Sequence, residues 1–370
     1  MPLQPRTAVP SGNPAMPARP DAVKLPGVYP QRQPVPGRMH YVESLAALVG
    51  QTPLLQISYR FNGQRRRVFA KYESMNMTGS VKDRMALHIL GRAAERGELK
   101  PGDVIVEATS GNTGISFSAI GRALGHRVRI YMPDWMSHER VLLMHNLGAE
   151  VVPVSKAQGG FLGSVQLTRE FAAENPNSFL PRQFDNPDNV EAHEVMTGPE
   201  IEAQLARFGV QADAFVAGVG TGGTVMGVGR YLRRKGRPVR VHALEPANSP
   251  TLRTGKKVGS HRIQGISDEF IPSIVNLAEL DPVVDVWDGD AILMSQATCH
   301  RLGLGLGISS GANLIGAIKL VEEMGPDAVV VTILPDSNKK YLSTALAAAE
   351  PPQDGYITPQ VQLDAVASVR

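Results

Sequence analysis

Short apolar runs rich in Val, Ile and Ala alternate with helix-like stretches of ten or more residues from about residue 68 to residue 334. Connections of that length predict parallel strands joined by helical crossovers, and strands that are apolar throughout predict helices on both faces of a sheet. We therefore expect an α/β fold in three αβα layers. The predicted strands are 68–71, 104–108, 128–132, 150–154, 214–217, 240–244 and 328–334. The predicted helices are 85–96, 114–124, 141–147, 162–174, 199–208, 224–235, 288–302 and 311–323.

The segments outside this alternation differ in composition. Residues 1–40 contain ten prolines and no apolar periodicity, which predicts a disordered or loosely docked arm. Residues 258–280 are irregular and predict an ordered loop over the sheet edge. After residue 344 we expect only a short helix at 345–349 and a polar tail from 351 to 370.

Composition narrows the function classes. The net charge of +3 is small and no long Lys/Arg block occurs, so nucleic acid is not an expected partner. No apolar run is long enough to cross a membrane. The single cysteine, Cys299, excludes an intramolecular disulfide and a cysteine-rich metal site, and it fits a reducing, cytoplasmic compartment.

One lysine follows a loop of turn-forming residues. Asn76, Thr78, Gly79 and Ser80 predict a loop that leads into a helix, and Lys82 falls in the first turn of that helix. The positive end of a helix dipole disfavours an ammonium group. Lys82 is therefore either simply solvated or kept neutral for chemistry, for example as a Schiff base, and alone the solvated state is the more common case.

Two loops after predicted strands have the composition of anion sites. Residues 109–114 hold two threonines, a serine and an asparagine before a helix, more than one helix cap needs, and predict a carboxylate or phosphate site. Residues 218–224 hold four glycines and two threonines before another helix and predict a phosphate site. Gly218, Gly220 and Gly223 also satisfy G-x-G-x-x-G, with Glu245 about twenty residues on, so a nicotinamide-dependent enzyme is a competing interpretation.

A third loop follows the last predicted strand. Asp336 and Ser337 could each face the same site from that strand end. Pro, Asp, Ser and Asn also suit an ordinary turn, so this loop alone does not favour either interpretation.

Taken in chain order, residues 80–84, 109–114 and 220–224 together with Ser337 resemble the cysteine synthase / cystathionine β-synthase family of pyridoxal-phosphate enzymes. The resemblance extends from about residue 45 to residue 346 and includes 183–187, 197–201, 264–266 and 307–312, with the last and residues 261–266 closer to the cysteine synthases. It implies the fold-type II architecture, two subdomains that are each an open, mostly parallel sheet flanked by helices. The catalytic domain would be 41–346, with a smaller subdomain at roughly 85–190 inserted in the larger one, followed by a tail at 347–370.

The resemblance also implies roles for residues. Lys82 would be the Schiff-base lysine and the base that handles the α-proton. The remaining cofactor contacts would be Asn112 at the ring hydroxyl, Gly220, Thr221, Gly222, Gly223 and Thr224 at the phosphate, and Ser337 at the pyridine nitrogen. The substrate contacts would be Thr109, Ser110, Asn112, Thr113, Gln183 and Gly265. If Asp336 rather than Ser337 faced the ring, its nitrogen would be held protonated and the electron sink would be stronger.

The implied activity is β-replacement through an aminoacrylate intermediate, with L-cysteine made from O-acetylserine and sulfide as the first choice. Cystathionine formation, cysteine desulfhydration and cyanoalanine formation use the same residue types and remain alternatives. The family implies a small amino-acid substrate, a sulfide-type nucleophile and a homodimer. A non-catalytic relative that binds partners through the proline-rich arm is a further alternative. Residues 75–79 depart from the asparagine loop expected of the family, which leaves the β-substituent open.

Overall fold

The computed structural model describes residues 44–234 and 236–370, so the predicted arm at 1–40 lies outside the described residues. The strands are β1 (Leu54–Phe61), β2 (Gln64–Tyr72), β3 (Val104–Ala108), β4 (Arg127–Pro133), β5 (Glu150–Val154), β6 (Ser178–Phe179), β7 (Ala214–Gly218), β8 (Arg240–Pro246), β9 (Asp281–Val286), β10 (Val330–Leu334) and β11 (Val361–Val369). The helices are α1 (Lys82–Glu95), α2 (Asn112–Ala123), α3 (His138–Asn146), α4 (Gly160–Glu174), α5 (Pro187–Ala192), α6 (Gly198–Arg207), α7 (Gly223–Arg233), α8 (Thr251–Thr254), α9 (Asp288–Leu302) and α10 (Ile308–Met324). One π-helical turn, His193–Thr197, joins α5 to α6.

The strands form two sheets. The larger has the order β11-β1-β2-β10-β7-β8-β9, and its pairings from β2 to β9 are parallel. The smaller has the order β5-β4-β3-β6 and is parallel throughout. The expected α/β class with two mostly parallel sheets is confirmed, because helices connect most of the consecutive parallel strands.

Alternating side chains place a core on each face of the larger sheet. In β7, Ala214 and Val216 pack with α9 and α10, whereas Phe215 and Ala217 pack with α6 and α7. In the smaller sheet, α1, α2 and α3 cover one face and α4 covers the other. Both sheets are therefore the middle layer of an αβα sandwich, which leaves the carboxyl ends of their strands free to form a site.

The seven predicted strands and the eight helices predicted between them are all present, and the strands β1, β6, β9 and β11 and the helices α5 and α8 were not predicted. The prediction of a polar tail from 351 to 370 is wrong, because β11 pairs antiparallel with the whole of β1 at the edge of the larger sheet. Six of its nine residues are exposed and only Leu363 is buried, and the segment carries no continuous apolar run of the kind on which the predicted strands were based. The predicted helix at 345–349 is a single 3-10 turn, Ala345–Ala347. Within the described residues no helix is long and apolar enough to cross a membrane.

Candidate active site

A cavity lies beyond the carboxyl ends of β3, β7 and β10, where open α/β sheets bind ligands. It is lined by elements of both sheets and by the irregular segment between α8 and β9. Its polar lining residues are Lys82, Thr109, Ser110, Asn112, Thr113, Arg140, Gln183, Thr221, Thr224, Gln264, Asp268 and Ser309.

Lys82 is the first residue of α1, as predicted, and its side chain lines the cavity. Burial lowers the pKa of Lys82, while the carboxylates of Asp336 and Asp268 act in the opposite direction. The net pKa lies below the usual lysine value. A lysine poised in this way supplies the neutral amine that imine formation requires.

The loop before α1 is tied down by a buried carboxylate. Asp83 accepts hydrogen bonds from the backbone N–H of Thr78 at 2.6 Å, from its hydroxyl at 2.5 Å and from the Ser116 hydroxyl at 2.6 Å. Burial raises the pKa of Asp83, and these three donors oppose that rise. Residues 75–79 do not line the cavity, so their departure from the family pattern does not alter its walls directly.

The predicted anion loop at 109–114 leads into α2. Thr109, Ser110, Asn112 and Thr113 all line the cavity, and the helix dipole gives this end a positive potential. The Thr113 hydroxyl donates to Gln183 Oε1 at 2.7 Å, which joins the loop to the segment after β6. The arrangement suits a carboxylate.

The glycine-rich loop between β7 and α7 fits a phosphate. The backbone N–H groups of Gly220, Thr221 and Gly222 make no hydrogen bond within the described part of the chain. A Cβ at Gly220 would lie 2.2 Å from Gly265 O, and Gly222 has φ +89°, so both positions need glycine. Free donors at the start of an eleven-residue helix form a cradle for an oxyanion.

Neighbouring side chains orient the last hydroxyl of this loop. Thr224 Oγ1 lies 3.2 Å from His193 Nε2, and His193 Nδ1 lies 2.9 Å from Thr197 Oγ1. Burial lowers the pKa of His193 to about 3, with Arg84 and Lys82 acting in the same direction. The imidazole is therefore neutral at physiological pH and holds Thr224 without adding charge.

Asn112 is held between two charged side chains. Its Nδ2 donates to Asp336 Oδ2 at 2.7 Å, and its Oδ1 accepts from Lys340 Nζ at 3.0 Å. Tyr341 also donates to Asp336 Oδ2, at 2.6 Å. Asp336 is fully buried and its side chain does not line the cavity, so it positions Asn112 rather than facing a cofactor ring.

Most of the predicted site residues converge on this cavity. Those that line it are Lys82, Thr109, Ser110, Asn112, Thr113, Gln183, Gly220, Thr221, Thr224 and Gly265. Gly222 and Gly223 belong to the same glycine-rich loop but do not line the cavity. Ser337 does not line the cavity; it pairs with Leu306 in an isolated bridge, and Ser309 at the start of α10 lines the cavity. The role assigned to Ser337 remains a prediction without support from this geometry.

Four polar residues of the cavity were not predicted as site residues, namely Ser309, Asp268, Arg140 and Gln264. Ser309 belongs to the 307–312 stretch that carried part of the family resemblance, and its place in the first turn of a helix was the available signal. Asp268 lies in the irregular segment at 258–280 and Arg140 lies in α3, and neither follows a strand directly. No spacing rule pointed to them.

Asp268 brings an unpaired carboxyl group to the lysine. It makes no hydrogen bond with its side chain within the described residues, and its carboxyl interacts electrostatically with Lys82. Burial raises the pKa of Asp268 to about 6, although Lys82 opposes the rise. Such a group exchanges a proton near neutral pH.

The competing nicotinamide interpretation required Glu245 to be free for a ribose. Glu245 is fully buried, and its carboxylate accepts from the backbone N–H of Leu252 at 2.6 Å and from Arg253 Nε at 2.7 Å. It does not line the cavity. The G-x-G-x-x-G match therefore lacks its acidic partner.

Comparisons with known proteins identify the family of this chain. Residues 45–336 match the family described as pyridoxal-phosphate dependent enzyme. The chain is 40% identical over 305 residues to a probable cysteine synthase of Bacillus subtilis, covering 82% of this chain and 97% of that one. It is 41% identical over 315 residues to cysteine synthase A of Escherichia coli, covering 83% and 95%. The structure of a hydrogen sulfide-producing enzyme from Fusobacterium nucleatum superposes on this one with a TM-score of 0.87 at 51% identity. The match covers 90% of this chain and 100% of that chain. The chain belongs to the pyridoxal-phosphate dependent enzymes and, within them, to the cysteine synthase family.

Proposed function

We propose that this enzyme breaks the bond between the β-carbon and sulfur of cysteine, releases sulfide and passes the remaining fragment to a nucleophile. The observation that supports this choice is the carboxyl group of Asp268 in the cavity, electrostatically coupled to Lys82. Acetate leaves without a proton, whereas a thiolate leaves more readily when an acid protonates it. A carboxyl with a pKa of about 6 can give that proton and can later take one from the entering nucleophile.

The other residues bind and orient. The α2 loop, Thr109 to Thr113, would hold the α-carboxylate of the substrate, and the α7 loop, Gly220 to Thr224, would hold the cofactor phosphate. Pyridoxal phosphate, when bound, supplies an electron sink that acidifies the α-proton. Neutral Lys82 Nζ would take that proton, and Asp336 and Asp268 stabilise the ammonium that results.

Ser309 is the polar group that we propose for the pyridine nitrogen in place of Ser337. It lines the cavity from the first turn of α10, whereas Ser337 does not line it. A hydroxyl, unlike a carboxylate, does not hold a ring nitrogen protonated, so the electron sink is moderated and prompt loss of the β-substituent is favoured.

The second candidate is cysteine synthesis from O-acetylserine and sulfide, which the sequence analysis placed first. The relatives from Bacillus subtilis and Escherichia coli, at 40% and 41% identity, favour it. The two candidates share the Lys82 chemistry and the anion loops and differ in the need for Asp268. That difference makes them separable by experiment.

The test compares two substrates, cysteine and O-acetylserine, in the wild-type enzyme and in Asp268→Asn. Sulfide release from cysteine should fall about 100-fold or more in the variant, because general acid–base groups contribute roughly 10²–10⁴ in rate. Consumption of O-acetylserine should fall much less. The control is Glu279→Gln at the far end of the same segment, since Glu279 pairs with Arg230 at 3.4 Å and does not line the cavity. Full sulfide release by Asp268→Asn, or a wild-type enzyme that processes only O-acetylserine, would refute cysteine as the preferred substrate.

We also propose a homodimer, as the family resemblance implies. Light scattering of the purified protein on a sizing column should give twice the 39.8 kDa chain mass. A monomer mass across the concentration range would exclude it.

A further inference from the structure

Arg140 is a buried cation in the cavity that the steps described above leave unused. It lies in the first turn of α3, is 2% exposed and lines the cavity beside Lys82 and Asp268. Its Nε has no hydrogen-bond partner, and the guanidinium forms no ion pair within the described residues.

Among the described residues, the groups in contact with Arg140 carry no negative charge. The guanidinium lies over the Tyr341 ring, 4.6 Å from its centroid, and Nη1 donates to the Gln264 amide oxygen. The ammonium group of Lys340 lies nearby and carries the same charge. Burial lowers the pKa of Lys340, and Arg140 lowers it further. The acidic neighbour Glu139 accepts hydrogen bonds from Ser343 and makes no ion pair with Arg140, although, against burial, Arg140 helps those bonds to lower the pKa of Glu139. A buried cation without an anionic partner is costly, so the site is suited to an anion that arrives with a ligand.

The anions of the basic reaction already have places. The cofactor phosphate is assigned to the loop before α7, and the substrate α-carboxylate is assigned to the loop before α2. Each loop offers its anion a helix N-terminus with free hydrogen-bond donors. Asp268 repels anions. A third anion in this cavity would be a carboxylate on the group that leaves or enters at the β-carbon, because no other part of the reactants remains.

We propose that Arg140 determines nucleophile specificity by binding a carboxylate carried by the entering thiol. The inference rests on the proposed function and narrows it to carboxylate-bearing thiols as acceptors. The bond from the β-carbon to the donor sulfur breaks, and a bond from the β-carbon to the acceptor sulfur forms. The acceptor's thiol proton ends on the leaving sulfur through Asp268, so the products are a thioether amino acid and hydrogen sulfide.

Gln264 marks where the carboxylate would sit. Its amide oxygen occupies one donor of Arg140 and has the geometry of one carboxylate oxygen. Gln264 precedes Gly265, whose φ of +96° lets the segment cross the cavity closely. An entering carboxylate would take the place of this amide and gain a second, parallel hydrogen bond from the fork.

The experiment uses the holoenzyme with two acceptor thiols of equal chain length, mercaptopropionate and mercaptopropanol. With cysteine as donor, wild type should show a KM for the acid about tenfold to a hundredfold lower than for the alcohol, with thioether products identified by mass spectrometry. Arg140→Gln should reduce that preference to within about threefold, and Arg140→Lys should keep part of it because it keeps the charge. Equal KM values in wild type, or an undiminished preference in Arg140→Gln, would overturn the proposal.

A binding measurement separates recognition from turnover. With alanine saturating the amino-acid site, calorimetry should show butyrate binding to wild-type holoenzyme and about tenfold weaker binding to Arg140→Gln. Equal binding by both would also overturn the proposal. If Arg140→Gln does not fold, the wild-type comparison of acid and alcohol and the Arg140→Lys variant still decide. Repeating the assay with O-acetylserine as donor distinguishes the two hypotheses. If the enzyme prefers the acid but releases no sulfide from cysteine, only the proposed function is refuted. If it releases sulfide from cysteine but does not prefer the acid, only the role of Arg140 is refuted.

Discussion

A buried charge cluster around Arg84, in the first turn of α1, gives the sharpest stability prediction. Arg84, two residues after Lys82 in α1, is bound by Glu73 through Nε–Oε2 at 2.6 Å and Nη2–Oε1 at 2.8 Å, and both side chains have no exposure. Lys71 and Arg84 also pair with Glu200 at 2.7 and 2.8 Å. Two cations and two carboxylates therefore balance inside the protein.

Glu73→Gln removes one of the two negative charges and leaves both cations facing Glu200 alone. Breaking a buried ion pair from one side costs about 3–5 kcal/mol, which is a large part of a typical unfolding free energy of roughly 5–15 kcal/mol. Urea unfolding in saturating pyridoxal phosphate should show this loss as a lower midpoint with an unchanged slope. The control is Glu95→Gln at the exposed end of α1, paired with Arg92 at 3.2 Å, for which little or no change in the urea midpoint is expected.

The pH dependence of this loss follows from the direction of the shift. Burial alone would raise the pKa of Glu73, but Arg84 and the hydrogen bonds to it outweigh burial and lower the pKa to about 2. A depressed carboxylate pKa stabilises the folded state above the unfolded value and loses that effect as pH falls toward the folded value. The difference between wild type and Glu73→Gln should therefore be constant from about pH 5.5 to 8 and shrink in acid. A loss below about 1 kcal/mol at neutral pH would refute the argument that this cluster is a compensated set of buried charges.

Three further predictions concern the site. Lys82→Ala should abolish the visible cofactor absorption and sulfide release together, and retention of either, by spectrum or by assay, would contradict its role. Gly220→Ala should weaken cofactor retention at least about tenfold on dialysis, because the new Cβ would lie 2.2 Å from Gly265 O and the loop must shift. The rate of transfer to the nucleophile should rise with pH through about 6, since Asp268 accepts a proton only when ionised, and Asp268→Asn should lose that limb. An unchanged profile in Asp268→Asn would assign the limb to another group.

The parts of the fold that the sequence predicted are those where one physical cause dominates. Strands such as β3 and β10 are apolar on both faces, and α9 has acidic residues in its first turn and basic residues in its last, so pattern and caps agree. β9 carries a proline and two aspartates at the edge of the sheet, and β11 exposes most of its residues. Edge strands are specified by a distant partner, which a local pattern does not contain.

The same distinction holds for the site. Asn112 and the Gly220 loop follow strands directly, and Lys82 follows a loop of turn-forming residues into a helix. Local turn and cap chemistry therefore predicts all three. Asp268 and Arg140 reach the cavity only because the 258–280 segment and α3 fold over it, and their residue types are ordinary for a surface. The role of Ser337 came from the family resemblance alone, since its loop after β10 also suited an ordinary turn, and it is Ser309 that lines the cavity.

The pairing of β1 with β11 also has a consequence for synthesis on the ribosome. Phe61 pairs with Val361, so the two partners are separated by 300 residues of chain. At a synthesis rate of about 5–20 residues per second, the strand that covers the outer edge of β1 is made roughly 15–60 s after β1. During that interval the N-terminal hairpin presents an open edge, which is a template for pairing with another chain. Early chaperone contact on this enzyme should therefore concentrate on the β1 hairpin, and variants that weaken β11 should aggregate during expression before they lose catalytic chemistry.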